Sequence, residues 1–273
     1  EGNGWTLDRM VEGRIHALAA AAGSLWIASD FGLMQMRNDV LEIVPELSAS
    51  PVYSLACIDD VVWAGAQHTL WRLSPDTGII EGHTPKDARG HAFAGPFTAL
   101  WPASSATIWV GTKGAIFEYF SESAETLQYP FPFENSKAEI TDIAGSEADS
   151  IWVTSNSGGA AQFRLADREI ASVRNWGGAA TGGLTTDNVY GVVTDADGSV
   201  WFATAVGVYR YQPWAFQEVG ERLDSLPVND LLFDRLGNLW VATAGEGIQV
   251  HSQRYRQPAQ HFMDSNGLPG GIV

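Results

Sequence analysis

The hydrophobic and polar positions of this chain follow a pattern that repeats six times. Each repeat has an aliphatic residue, a tryptophan, a short β-prone run ending in small or hydroxyl residues, a break that usually contains glycine, and a second β-prone run. The marker tryptophans lie 37 to 49 residues apart, at Trp26, Trp63, Trp109, Trp152, Trp201 and Trp240. A self-similar period of this length is typical of stacked or radial repeat proteins.

A second repeated column lies before each tryptophan. Two apolar residues recur three positions apart, with a small or acidic residue between them. The first is Ile15, Val52, Phe97, Ile140, Val189 or Val228, and the second is Leu18, Leu55, Leu100, Ile143, Val192 or Leu231. Because strict period-2 alternation would not make both positions apolar, we expect a bulge here, or burial on both faces of the strand.

Each period therefore reads as four strands: an inner strand, the tryptophan strand, a third strand after the glycine turn, and an outer strand after a variable polar stretch. Four strands in about 40 to 45 residues form one blade of a β-propeller. We predict an all-β propeller of four-stranded blades with six repeats visible. The glycines reverse the chain in every repeat, whereas a phosphate-binding loop would occur once and lead into a helix.

The two ends of the chain carry further strand signals. Residues 1–10 resemble an outer strand, and residues 268–273 resemble the start of an inner strand. A closed six-bladed ring would use one of these segments, whereas a seven-bladed ring would use both. We therefore expect residues 1–273 to form one propeller domain that is part of a seven-bladed ring cut within a blade, with a six-bladed ring and spare ends as the alternative.

Composition narrows the range of functions. The net charge of −16 disfavours nucleic-acid binding, because so acidic a surface repels phosphate backbones. Cys57 is the single cysteine, and its strand-like context predicts a buried structural thiol. The six histidines lack metal-binding spacing, and no apolar run approaches the roughly 20 residues of a membrane helix. We expect no catalytic residue, no metal and no cofactor.

Polar and aromatic residues follow the first apolar position of each inner strand. Ligands of propellers normally meet the mouth of the central channel, which inner strands and their loops line. The candidate ligand-binding residues are therefore His16, Tyr53, Thr98, Thr141, Tyr190 and Asn229. The alternative is that these are partly solvated strand residues without a ligand.

The repeats resemble the two-component regulator propeller repeat. The similarity lies in "NVYGVVTDADGSVWFATAVGVYRY" (188–211), "VNDLLFDRLGNLWVATAGEGIQV" (228–250) and "TIWVGTKGAIFEY" (107–119). This resemblance implies a non-enzymatic, ligand-sensing region of a bacterial membrane receptor, with a periplasmic location. Such regions typically precede a transmembrane helix and a histidine kinase or diguanylate cyclase module. The implied partners are a small solute or glycan, the remainder of the receptor and a second copy in a homodimer.

Two other functions stay open. One is a propeller scaffold that binds a protein or a glycan without signalling. The other is an enzyme similar to streptogramin lyases, which have loosely similar repeats and a histidine base. Lyase repeats centre on Trp-Phe followed by an acidic residue, whereas Trp201-Phe202 is followed by Ala203 here.

Overall fold

The computed structural model describes residues 13–48, 50–146, 150–166, 169–177, 183–195, 197–212, 215–218, 226–252 and 258–263. In this part of the chain the strands form six antiparallel four-stranded sheets, one for each tryptophan repeat, with no α-helix. We call the sheets blades 1 to 6 in chain order. The predicted all-β fold with four-stranded blades is confirmed. The predicted strand segments 1–10 and 268–273 lie outside the described residues.

Blades 1 to 3 each order their strands from inner to outer along the chain. Blade 1 consists of Ile15–Ala21 (β1), Ser24–Ser29 (β2), Gly32–Arg37 (β3) and Val40–Ile43 (β4). Blade 2 consists of Val52–Ile58 (β5), Val61–Ala66 (β6), Leu70–Ser74 (β7) and Ile79–His83 (β8). Blade 3 consists of Ala99–Ser104 (β9), Thr107–Thr112 (β10), Ala115–Phe120 (β11) and Glu125–Tyr129 (β12). A single 3₁₀ turn, Pro45–Leu47, follows β4.

Blades 4 to 6 repeat this order. Blade 4 consists of Ile140–Ser146 (β13), Ser150–Ser155 (β14), Gly159–Ala166 (β15) and Glu169–Trp176 (β16). Blade 5 consists of Val189–Thr194 (β17), Val200–Thr204 (β18), Gly207–Gln212 (β19) and Ala215–Glu218 (β20). Blade 6 consists of Val228–Phe233 (β21), Leu239–Thr243 (β22), Gly247–His251 (β23) and Pro258–Phe262 (β24).

The chain divides into two compact units. One comprises Val11–Phe131 and Ser136–Ile143, which include blades 1 to 3 and the start of β13. The other includes Pro132–Asn135 and the chain from Ala144, with blades 5 and 6 and most of blade 4. Each unit is described by itself below.

The expected bulge is present on the inner strands of blades 1, 2, 5 and 6. The pairing of inner and second strands shifts register between Ile15 and Ala17, and again between Val52 and Ser54. The same shift occurs in blades 5 and 6, at Tyr190 and Asn229. A bulge turns the extra residue out of the regular alternation, so apolar residues three positions apart can both reach the core, as Val228 and Leu231 do.

The marker tryptophans pack each blade against the next one within a unit. Trp63 of blade 2 is fully buried with Leu100 and Ile108 of blade 3. In the other unit, Trp201 of blade 5 is buried with Leu231 of blade 6. Burying such large aromatic side chains between sheets supplies much of the hydrophobic stabilisation of a propeller.

Two sheet faces do not follow this packing. Leu18 on β1 is 59% exposed, whereas Leu231 at the equivalent position is 3% exposed. On the last blade, Leu232 is 62% exposed and Trp240 is half-buried, in contrast to Trp201 at 1%. Among the described residues, Leu18 and Trp240 are therefore less buried than their counterparts Leu231 and Trp201.

Hydroxyl residues at the end of the second strand fix the glycine turns. The Thr204 hydroxyl donates to the Gly207 carbonyl oxygen at 2.7 Å, and the Thr243 hydroxyl donates to that of Gly247 at 2.8 Å. Gly247 has a φ of +73°, and a Cβ there would lie 2.0 Å from the carbonyl oxygen of Phe262. Gly247 is thus required where the outer strand passes closely.

Candidate functional site

The structure places the predicted ligand-binding residues at equivalent positions of successive blades. His16, Tyr53, Tyr190 and Asn229 occupy the bulges of their inner strands. Thr98 immediately precedes β9, and Thr141 is the second residue of β13. Tyr190 and Asn229 are exposed, and the other four are half-buried. The bulge therefore gives four of the six residues the same position on their own inner strands.

His16 and Tyr53 are in direct contact. Their ring centroids lie 5.2 Å apart, with the ring planes tilted by 48°. The imidazole Nε2 of His16 lies 2.8 Å from the carboxylate Oδ1 of Asp30, which follows β2 in the same blade. The Tyr53 hydroxyl donates at 3.3 Å to the amide oxygen of Gln67, which follows β6. We call His16, Asp30, Tyr53 and Gln67 the His16 site.

Hydrogen bonds keep the Asp30 carboxylate charged. The backbone N–H of Arg14 donates to its Oδ2 at 3.0 Å, and this bond, followed by the bond from His16, lowers the pKa of Asp30. The carboxylate side chain is 46% exposed, whereas the His16 side chain is 13% exposed. Phe31, the next residue, is 53% exposed. The site thus combines a solvent-facing anion with an oriented imidazole that contacts the Tyr53 ring.

Sequence reasoning missed Asp30 and Gln67. Each directly follows the end of a second strand and faces the bulge residue of its own blade. At this position blades 5 and 6 have Ala205 and Ala244, whose side chains carry no hydrogen-bonding group. The sequence did contain a signal for both residues. Each follows the small or hydroxyl residue that ends a second strand, and it could have been paired with the bulge residue of the same blade.

Thr98 is a predicted ligand-binding residue, but its hydroxyl also makes a hydrogen bond to the backbone of another blade. Its hydroxyl donates to the carbonyl oxygen of Ile140 at 2.6 Å, linking the inner strands of two neighbouring blades. Ser54 makes a similar link, with its hydroxyl 2.8 Å from the carbonyl oxygen of Phe97. Since these hydroxyls are engaged by backbone, the contacts of the His16 site are the stronger candidates for ligand recognition.

The other unit places two predicted residues on adjacent inner strands. Tyr190 lies on β17 and Asn229 on β21, which contact each other. Next to Asn229, the Asp230 carboxylate accepts a 2.8 Å hydrogen bond from the Leu231 N–H. Desolvation by surrounding atoms raises the pKa of Asp230, against the smaller effect of that hydrogen bond. This carboxyl group keeps solvent contact and gains a proton more readily than an ordinary aspartate.

The remaining chemistry of the described residues is limited. No group of three or more His, Cys, Asp or Glu side chains could hold a metal ion in this part of the chain. Cys57 is half-buried on β5, and desolvation raises the pKa of its thiol to about 11. A thiol with so high a pKa is a poor nucleophile at neutral pH.

One stretch of the chain matches the sequence model of a known repeat family. The sequence model described as two component regulator propeller matches residues 222–245, which hold β21, β22 and the turn between them. Blade 6 carries a two-component regulator propeller repeat. This match confirms the predicted resemblance, and it overlaps the stretch 228–250, one of the three that carried the resemblance.

Solved structures share the propeller fold with this chain. The extracellular domain of the hybrid two component system BT3049 from B. thetaiotaomicron has 16% identity and a TM-score of 0.76 over 96% of this chain and 37% of its own. PorZ, a surface component of the type-IX secretion system of Porphyromonas gingivalis, has 16% identity and a TM-score of 0.70 over 94% of this chain and 42% of its own. The chain thus spans less than half of either protein.

An enzyme shares the fold as well. Virginiamycin B lyase from Staphylococcus aureus has 14% identity and a TM-score of 0.69 over 91% of this chain and 85% of its own. At these identities the likeness concerns the fold alone. A comparison with curated protein sequences gives no match. Among the described residues, no helix has the length and hydrophobicity that crossing a membrane requires.

Proposed function

We propose that this chain is a non-enzymatic, ligand-sensing propeller domain of a bacterial membrane-bound signalling receptor, on the periplasmic side of the membrane. The observation that carries the proposal is the two-component regulator propeller repeat at residues 222–245. The propeller fold shared with an extracellular domain of a hybrid two component system supports it. A ligand would act by favouring one of two arrangements of the receptor subunits.

The ligand would bind at the His16 site. An aromatic face at Tyr53, a charged acceptor at Asp30 and an amide at Gln67 give a small polar solute or a glycan both stacking area and directional hydrogen bonds. The half-buried imidazole of His16 is held by Asp30, so the site is ordered before the ligand arrives.

The test is a thermal-shift screen with a panel of oligosaccharides and amino acids, followed by calorimetric titration of the best compound. Asp30→Asn and Tyr53→Ala should each weaken its binding about tenfold or more, because each removes a direct ligand contact. Asp76→Asn is the matched control, since Asp76 is an exposed turn residue. Equal affinities for the wild type and all three variants would place the ligand elsewhere.

Signalling itself is tested in the full-length receptor fused to a transcriptional reporter. The compound identified above should induce the reporter in the wild type and not in the Asp30→Asn receptor. Binding of the compound without induction of the reporter would contradict the sensing function and favour the scaffold function.

We also propose that the propeller has a seventh blade. Leu18 and Trp240 lie on faces that have the chemistry of an inter-blade contact, and both are more exposed than their counterparts Leu231 and Trp201. A further four-stranded sheet would supply the tryptophan that covers Leu18 and the aliphatic residue that covers Trp240. In a protein lengthened by the adjoining gene sequence, amide exchange at β1 and β22 should slow markedly relative to this chain. Unchanged exchange would contradict the seventh blade.

A lyase-like enzyme is the second candidate. The His16–Asp30 pair has the geometry of an oriented general base, and virginiamycin B lyase shares the fold over most of its length. Incubation with quinupristin, present in the structure of an inactive lyase, followed by mass spectrometry tests it. Turnover by the wild type and its loss in His16→Ala would establish this enzyme in place of the non-enzymatic sensor.

A further inference from the structure

A groove opens on the outer side of blades 1 and 2, away from the bulge column. It lies between strands β3 and β4 of blade 1 and the turn that joins β7 to β8 in blade 2. It has a volume of about 250 Å³, which is smaller than a typical pocket for a drug-sized molecule. Its size therefore fits one or two side chains of a larger partner better than a whole cofactor.

The floor and one wall of the groove are apolar. Trp26 and Leu73 form the buried floor. Ile43 and Ile79 line it with 53% and 49% of their surface exposed, and Ile80 lies beside them half-buried. Large aliphatic side chains so exposed at one place gain free energy when a partner covers them.

The other wall is polar and acidic. The strand ladder pairs Trp26 with Gln35 and Gln35 with Glu42, so all three lie on the face that borders the groove. The Gln35 amide donates to the Ser24 hydroxyl at 2.9 Å, which holds that side chain in place. Glu42 is exposed beside the apolar floor.

The surroundings of the groove carry an excess of negative charge. Exposed acidic residues flank the lining residues in sequence, namely Asp39, Glu46 and Asp76. Arg37 is the basic residue among those that line the groove. Together with the net charge of −16, this arrangement attracts a cationic partner and disfavours a second copy of the chain.

We propose that this groove docks an extended, lysine- or arginine-containing segment of another protein. The methylene stem of a basic side chain would pack between Ile43 and Ile79 over Trp26, and its charged end would reach Glu42. Strand β4 is the edge of its sheet, so an extended segment can lie along it. This binding surface is separate from the His16 site and does not depend on the proposed sensing function.

The probe is a synthetic peptide of alternating lysine and valine, titrated by calorimetry in buffer of physiological ionic strength. Ile79→Glu should weaken its binding about tenfold, since the aliphatic contact is lost. Leu236→Glu is the matched control, because it adds the same charge at a side chain that is 77% exposed in blade 6. A second pair compares Glu42→Gln, expected to weaken binding several-fold, with Glu169→Gln on β16, expected to leave it unchanged.

Labelled isoleucine methyl groups locate the peptide directly. Their NMR signals should shift at Ile43, Ile79 and Ile80 and stay in place at Ile248 of blade 6. Equal weakening by Ile79→Glu and Leu236→Glu would overturn the proposal, as would equally tight binding of 1,5-diaminopentane or of a glutamate-valine peptide. Sedimentation that shows a dimer dissociated by Ile79→Glu would assign the groove to a second copy instead. Unfolding curves verify that the exposed substitutions leave the fold intact, and Ile43→Ser provides an independent variant.

Discussion

The indole Nε1 of Trp240 donates a 3.1 Å hydrogen bond to Oδ2 of Asp234, six residues earlier. The other oxygen of this carboxylate accepts the backbone N–H groups of Leu236 and Asn238. Blade 5 has the same arrangement, in which Trp201 donates to Asp195 at 2.9 Å. One aspartate therefore closes the turn between the first two strands and also fixes the marker tryptophan.

Replacing Asp234 with alanine should lower the midpoint of urea unfolding, because the turn amides and the indole N–H lose their acceptor. Asp197→Ala, in the equivalent turn of blade 5, is the control, since it removes an exposed carboxylate of the same kind of turn. Equal midpoints for the two variants would show that the Asp234 bonds contribute nothing to stability.

The same bonds predict a response to acid. Hydrogen bonds from Asn238 and then Trp240 lower the pKa of Asp234 to about 2, below the value of roughly 3.9 for an unfolded aspartate. Its contribution to stability is thus present above about pH 4 and lost as the pH falls towards 2. Unfolding curves between pH 4 and 2 should be less pH-dependent in Asp234→Ala than in the wild type.

Alanine substitutions at Gly247 and Gly198 distinguish the cost of a steric clash from the cost of backbone strain. Their φ angles are +73° and +78°, but a Cβ would strike the Phe262 carbonyl only at Gly247, with nothing within 4 Å at Gly198. Gly198→Ala should cost about 1 kcal/mol of unfolding free energy and Gly247→Ala clearly more, because the backbone of β24 must move. Chemical denaturation measures both, and equal losses would mean that the outer strand shifts without cost.

Two neighbouring leucines test the packing of blade 6. Leu231 is 3% exposed and packs with Trp201, whereas Leu232 is 62% exposed. Leu231→Ala should cost about 2–5 kcal/mol, and Leu232→Ala should stay within about 0.5 kcal/mol. If a seventh blade covers the open face, Leu232→Ala becomes costly in the longer protein. A large loss at Leu232 in this chain would contradict its exposed position.

Much of the fold could be predicted from sequence because equivalent residues pack in the same way in different blades. Trp63 and Trp201 recur at the same point of each period and lie at the same inter-blade position. The apolar pair of the inner strand predicted the bulge, which the register shift at Tyr53 confirms. The seven-bladed ring stays a prediction.

The candidate site was less accessible from sequence. The column after the first apolar position named both His16 and Tyr53 as candidates, but their role as ligand contacts stays a prediction. Asp30 was not found, because its approach to His16 depends on the hairpin length and on the bulge, which together bring residues 14 positions apart to 2.8 Å. Spacing in the sequence alone does not fix that register.

Because the His251 side chain is buried, we expect the protein to lose stability at mildly acidic pH. This side chain is 3% exposed on β23, and Nε2 has no hydrogen-bond partner among the residues that the structure describes. Desolvation, and to a smaller extent the nearby His261, lowers the pKa of His251. The unfolded chain binds a proton more readily than the folded one, so stability is complete above the unfolded pKa of about 6.5 and declines as the pH falls through it.

Urea unfolding at intervals from pH 7.5 to 5.5 measures this effect. One such histidine changes the unfolding free energy by at most about 1.4 kcal/mol per pH unit. His251→Gln keeps a polar side chain that does not titrate, so its stability should vary less with pH than that of the wild type. A residual slope is expected from His83, whose pKa desolvation also lowers. His68→Gln, at an exposed position, is the control and should leave the slope unchanged. If His251→Gln had the same slope as the wild type, burial of His251 would not contribute to the pH dependence of stability.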